Sequence, residues 1–151
     1  MTSKTPESKY SLPRIIFVYG TLRRLGSNHF LLDNKTTEYL GKFRTKEKFV
    51  MVGRGIPAVI EPSVRLSCSV PLPIRGEAYL VQESHVLHDL DSLESEGDFY
   101  LRKPVSLVSD PEKYAIAKAE IYFGNPKYWY NDETSGSLIN SLKGDSYYEY
   151  T

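Results

Sequence analysis

The chain has 151 residues, 19 of them lysine or arginine and 19 aspartate or glutamate, and it contains a single cysteine. That length suits one domain with its own hydrophobic core. The balanced charge gives no electrostatic footprint for nucleic acid or a membrane surface, and a lone Cys68 excludes an intramolecular disulfide and argues against a cysteine-built metal site. No apolar run approaches the ~20 residues that span a bilayer, and the polar opening lacks the apolar core of a signal peptide, so the expectation is a soluble, cytoplasmic protein.

Taken in order, residues 1–13 read as a disordered tail closing at Pro13, and 14–151 as one domain. Ile15, Ile16, Phe17, Val18 and Tyr19 form a run of β-branched and aromatic residues that predicts a strand buried on both faces. Gly20 and Thr21 end it, and a short helix is expected over 28–32. A buried strand ending in Gly and a small hydroxyl residue either turns a tight corner or exposes backbone N–H groups that hold a carboxylate or a developing oxyanion. Two strands are expected between 36 and 52, a turn at Gly53, Arg54 and Gly55, and a short strand or edge over 57–60. Residues 62–73, with three prolines, read as a surface loop, and 74–81 as a strand.

Residues 83–94 carry the best helical pattern, with Ser84 as expected N-cap. Strands follow over 99–108 and 114–123, with Ala115, Ala117, Ala119 and Ile121 on one face of the second and Tyr114, Lys118, Glu120 and Tyr122 on the other. Beyond Phe123 a loop is expected, with a short helical piece near Leu138 and Ile139. Many short strands with two modest helices fit an α+β domain built on a small curled or barrel-like sheet.

Val86, Leu87, Leu90 and Leu93 define the apolar stripe of the helix. At 100° per residue, Glu94 lies roughly 50° from its centre, with Asp89 opposite and Asp91 beyond its edge. Glu94 is therefore the one acid of this segment expected to point inward. Desolvation and the negative end of the helix dipole both favour its neutral form, the property of a general acid or base. A buried acid equally serves as a structural partner, with Arg102 the candidate cation.

Phe17, Val18, Tyr19, Gly20, Thr21 and Leu22, followed by Asn28 and His29, resemble the N-terminal signature of the γ-glutamylcyclotransferase-like superfamily. Leu90, Asp91, Ser92, Leu93, Glu94 and Ser95, followed by Tyr100 and Arg102, resemble its second signature. Ile56, Pro57 and Ala58, then Gly76, Glu77, Ala78 and Tyr79, stand where that family has an apolar proline segment and a Gly-Glu-x-Tyr strand. The resemblance covers about residues 14–123, and Ser95 after the acid is similar to the branch of γ-glutamylamine cyclotransferases and plant avirulence-induced proteins.

The resemblance implies a small mixed β-barrel with flanking helices, without metal or cofactor, acting on a small γ-glutamyl substrate; from the balanced charge, no nucleic-acid or membrane partner is expected. It implies Glu94 as acid/base and Tyr19, Gly20, Thr21, Leu22, Tyr100 and Arg102 as substrate-binding residues. The products implied are 5-oxoproline and a free amine, such as lysine from γ-glutamyl-ε-lysine. Tyr100 and Arg102, two apart on a strand, share a face and line the pocket together unless Arg102 pairs structurally. Alternatives are a non-catalytic binding member of the fold, or turnover of γ-glutamyl amino acids or glutathione. Tyr128, Trp129 and Tyr130 either lid the cavity or simply pack; His29, His85 and His88 lack metal-ligand grouping.

Overall fold

The computed structural model describes residues 11–53, 57–61, 71–129 and 147. Its strands are β1 (Arg14–Val18), β2 (Glu38–Thr45), β3 (Val50–Gly53), β4 (Pro57–Ile60), β5 (Arg75–Val81), β6 (Tyr100–Ser109) and β7 (Ala115–Gly124). Helix α1 (Ser84–Leu93) lies between β5 and β6, and a single turn, α2 (Pro126–Trp129), follows β7. None of the described helices is long and apolar enough to cross a membrane. The expected turn at 54–55, loop residues 62–70, Tyr130, and the helical piece at 138–139 lie outside the described residues, as do residues 1–10 of the expected tail. Just before β1 the chain is already engaged: Arg14 Nε donates to the Ser11 carbonyl at 2.7 Å, and Leu12 packs against the core.

Strands β1, β5, β2, β6 and β7 pair in that order, and parallel pairing of β1 with β7 closes them into a five-stranded mixed barrel. Ile16 stands opposite Glu120, and Phe17 opposite Ile121. Closure needs strong bending, and β2 supplies it where its register against β5 shifts between Tyr39 and Gly41. Gly41 has φ +121°, a conformation open to glycine and costly to other residues. Strand β4 lies between β7 and β3 rather than at an edge, with Val59 opposite Phe123.

The alternation along β1 sorts its side chains into two apolar clusters. Phe17 and Tyr19 join Phe43, Met51, Ile74 and Ile121 inside the barrel. Ile16 and Val18 join Tyr79, Val86, Leu87, Leu90 and Tyr122, where α1 covers the wall. Val86, Leu87 and Leu90 are almost completely buried, and each holds the helix down by roughly 1.5–3 kcal/mol.

The short helix expected over 28–32 is a single 3-10 turn, His29–Leu31, in which Leu31 and Leu32 donate to carbonyls three residues back, of Asn28 and His29. Two expectations need correction. The N-cap of α1 is Glu83, in extended geometry (φ −125°, ψ 138°), and Ser84 is the first helical residue. Finally, Leu93 is 40% exposed while Asp91 is buried at 6%. The buried face is thus rotated by roughly 40° from the apolar stripe, and Glu94 is not the one inward acid.

Candidate active site

A cavity of about 180 Å³ opens where the C-terminal end of β1 meets the C-terminal end of α1. Phe17, Val18, Tyr19, Gly20, Thr21, Leu22 and Asn28 form one side; Leu93, Glu94, Phe99, Tyr100 and Tyr122 form the other. The two stretches singled out in the sequence, more than seventy positions apart, therefore face one space.

The turn after β1 is tightly made. Arg23 N–H donates to the Gly20 carbonyl at 3.1 Å, and Asn28 N–H to the Thr21 carbonyl at 3.0 Å. Asn28 also reaches back through its side chain, Nδ2 donating to Thr21 Oγ1 at 2.8 Å. A Cβ at Gly26 would collide with the Thr21 carbonyl oxygen, so the chain closes here only through glycine. Among the described residues, the N–H groups of Gly20, Thr21 and Leu22 donate to no protein acceptor. Donors of this kind, on residues that line the cavity, suit a carboxylate or an oxyanion.

Tyr19 contributes differently from its neighbours. Its hydroxyl donates to the Tyr122 carbonyl at 2.7 Å and accepts from Val59 N–H at 3.1 Å. The ring is thereby locked, tying the chain just after β1 to β4 and β7.

Glu94 is the C-cap residue of α1, its N–H still donating to the Leu90 carbonyl at 3.0 Å. Its position is half-buried, and burial pushes its carboxyl up to about 7. Tyr19, Tyr100 and Tyr122 are all held above the usual phenol value, chiefly by burial, and the charge of Glu94 adds to each. Glu94 thus sits among neutral phenols, which can donate hydrogen bonds without giving up a proton.

Arg102 does not line the cavity. Its guanidinium is 1% exposed, with Nη2 3.5 Å from Asp91 Oδ2 and Nη1 3.8 Å from Glu120 Oε1. Glu120 in turn meets Arg14 at 2.8 Å. The structural pairing is observed, with Asp91 and Glu120 as partners. Tyr100 does line the cavity; Arg102, two residues further along β6, lies deeper under α1.

Residues not singled out for the site also converge there. Phe99, Leu93 and Tyr122 line the wall, and Asn28 braces the turn. The alternation that set Tyr122 on the face opposite Ala119 and Ile121 was the available signal. Side-chain positions of Tyr128 and Trp129 lie outside the described structure.

A family model described as "Gamma-glutamyl cyclotransferase, AIG2-like" matches residues 16–143. A protein of Methanocaldococcus jannaschii, provisionally named a gamma-glutamylcyclotransferase, is 39% identical over 128 residues, covering 83% of this chain and 91% of its own. A similarly named protein of Vibrio cholerae is 35% identical over 95 residues, 62% of this chain and 73% of that one. Among solved structures, an AIG2-like protein from Mus musculus superposes with TM-score 0.65 at 24% identity, covering 92% of this chain and 97% of its own; that likeness concerns the fold.

Proposed function

This chain belongs to the gamma-glutamyl cyclotransferase, AIG2-like family, and on that premise we propose that it is a γ-glutamylamine cyclotransferase, releasing 5-oxoproline and a free amine. The observation that carries this reading is Glu94, its carboxyl near 7, on a cavity whose opposite wall is the donor-rich Gly20–Leu22 turn.

A γ-glutamyl amide brings its own nucleophile, so the site must fold it, move one proton and steady one oxyanion. The α-amine attacks the γ-carbonyl carbon, forming the ring C–N bond. Glu94 takes a proton from that nitrogen and returns it to the leaving nitrogen as the amide C–N bond breaks. N–H groups of Gly20, Thr21 and Leu22 hold the glutamyl carboxylate or the oxyanion, with Tyr19 bracing the turn and Tyr100 beside the acid. Arg102 acts from beneath, through Asp91.

An amine without a carboxylate beside the scissile nitrogen suits this cavity. The described side chains lining it include no lysine or arginine, and Leu22, Leu93 and Phe99 are apolar. A second carboxylate there would be desolvated close to Glu94 without a counter-charge. Lysine released from γ-glutamyl-ε-lysine meets the condition, since its reacting nitrogen is borne on a methylene.

The test is 5-oxoproline release from γ-glutamyl-ε-lysine, other γ-glutamylamines, γ-glutamyl amino acids and glutathione, with Glu94→Gln as control. Release from the amines, lost in the variant, supports the reading. Release only from amino acids or glutathione overturns the substrate class, and binding of 5-oxoproline without any release overturns catalysis.

A further inference from the structure

Beneath the substrate-facing turn lies a buried carboxylate that takes no part in the chemistry above. Glu77, in the middle of β5, is 8% exposed. Its Oε1 accepts the backbone N–H of Arg24 at 2.7 Å and the hydroxyl of Tyr79 at 2.9 Å. Residue 24 belongs to the loop that runs from Gly20 to Asn28, and it sits 53 positions from Glu77 in sequence.

The surroundings show what this contact restrains. At the loop tip, Leu25 is fully exposed with φ +72°, whereas Leu22 at the base of the loop is packed into the core. Beyond Leu22, restraint comes from polar and aromatic contacts. The Arg24 guanidinium lies 5.0 Å over the Tyr39 ring, Tyr39 packs on Tyr79, and Tyr79 meets the His29 ring at 5.8 Å. His29 Nδ1 lies 3.0 Å from the Leu22 carbonyl. Glu77 and Tyr79 are the buried members of this group; Glu77 takes the Arg24 N–H from the loop backbone, while His29 meets the Leu22 carbonyl.

We propose that Glu77 is a positioning residue for the γ-glutamyl substrate: its carboxylate, by accepting the Arg24 N–H, holds the Gly20–Leu22 turn in its binding conformation. What the bond needs is an acceptor oxygen at this place, which a carboxylate supplies and a carboxamide of the same length also can. The Tyr79 hydroxyl aims the same oxygen. With that bond in place, the Arg24 peptide is oriented toward β5, and the donors of Gly20, Thr21 and Leu22 stay along the cavity. Without it, the exposed loop has more conformations to lose on binding, a cost that appears as weaker affinity. This inference rests on the functional reading above.

The experiment compares Glu77→Leu, which removes the acceptor, with Glu77→Gln, which keeps an acceptor oxygen and removes the charge. Both are assayed for KM and kcat on γ-glutamyl-ε-lysine and titrated calorimetrically with 5-oxoproline, a readout independent of turnover. The expected result for Glu77→Leu is at least a tenfold rise in KM and a matching loss of 5-oxoproline affinity. Its kcat should fall less than threefold, and its pH profile should keep its midpoint near 7. Glu77→Gln should restore KM and affinity to within threefold of wild type. A folded Glu77→Leu with KM and affinity within twofold of wild type overturns the proposal. Equal losses in both variants overturn it too, because the carboxylate would then act by charge.

If Glu77→Leu does not fold, amide hydrogen exchange of the wild-type protein decides. Exchange at Arg24 at least tenfold slower than at Leu25 supports the bond, and equal exchange overturns it. A wild-type protein that binds 5-oxoproline but releases none refutes the functional reading while the binding arm still tests Glu77.

Discussion

Asp91 and Glu94 lie one helical turn apart on α1, and the barrel gives them opposite electrostatic settings. Asp91 Oδ1 accepts the Tyr122 hydroxyl at 2.5 Å, and its Oδ2 lies 3.5 Å from the Arg102 guanidinium. Glu94 faces the cavity, with burial as the cause of its raised pKa. The nearest buried cation is engaged by Asp91 and Glu120, so it does not hold Glu94 in its charged form. One acid anchors the helix; its neighbour is left able to exchange a proton.

Glu94→Gln should therefore preserve the fold and 5-oxoproline binding while lowering kcat by at least a thousandfold. The carboxamide keeps the shape of the side chain and cannot carry the proton. Circular dichroism, calorimetric titration and turnover on one preparation check this, and near-normal turnover would remove Glu94 from its role.

The rate should climb as pH rises through about 7, because Glu94 must be ionised to accept the proton of the attacking amine. A kcat profile from pH 5 to 9 checks the midpoint. A profile already flat at pH 5 would mean a carboxyl at its ordinary value.

Stability should move the opposite way. A carboxyl raised from 4.5 to about 7 on folding binds more protons folded than unfolded across that interval. Its contribution is fully present below about pH 4.5 and is lost as pH rises through 7. Glu94→Gln, which abolishes this loss, should be more stable than wild type at pH 8. The gain is on the order of 1 kcal/mol, since solvent reaches part of the group. Urea unfolding at pH 5 and pH 8 measures the difference.

Arg102→Met should cost about 3 kcal/mol, because it leaves Asp91 buried without its cation, while Glu120 keeps its contact with Arg14. Urea unfolding gives that figure. With the positive charge gone, α1 should also hold Glu94 less firmly, so kcat should fall while the 5-oxoproline affinity changes less.

Gly26→Ala should weaken 5-oxoproline binding at least tenfold, because the added methyl collides with the Thr21 carbonyl and forces the turn open. A calorimetric titration with wild-type affinity would show that the turn does not hold the glutamyl portion.

Much of the site was legible locally. The run from Ile15 to Tyr19 states its own strand, since apolar residues on both faces fit only a covered one. Gly20, Thr21 and Leu22 follow from where that run stops, and the periodicity through Leu90 places Glu94 inward from α1. These inferences need only residues near in sequence, plus two motifs in a fixed order. What the tertiary structure alone decided involves residues far apart. The parallel pairing of Phe17 with Ile121 closes the barrel, and the curved wall then rotates the buried face of α1 away from its apolar stripe. That rotation buries Asp91 against Tyr122, 31 positions away, and draws Arg102 out of the cavity. The grip of Glu77 on Arg24 is of the same kind. A helix's periodicity tells which side chains are apolar, but whether a polar side chain can be buried depends on the partner another strand brings to it.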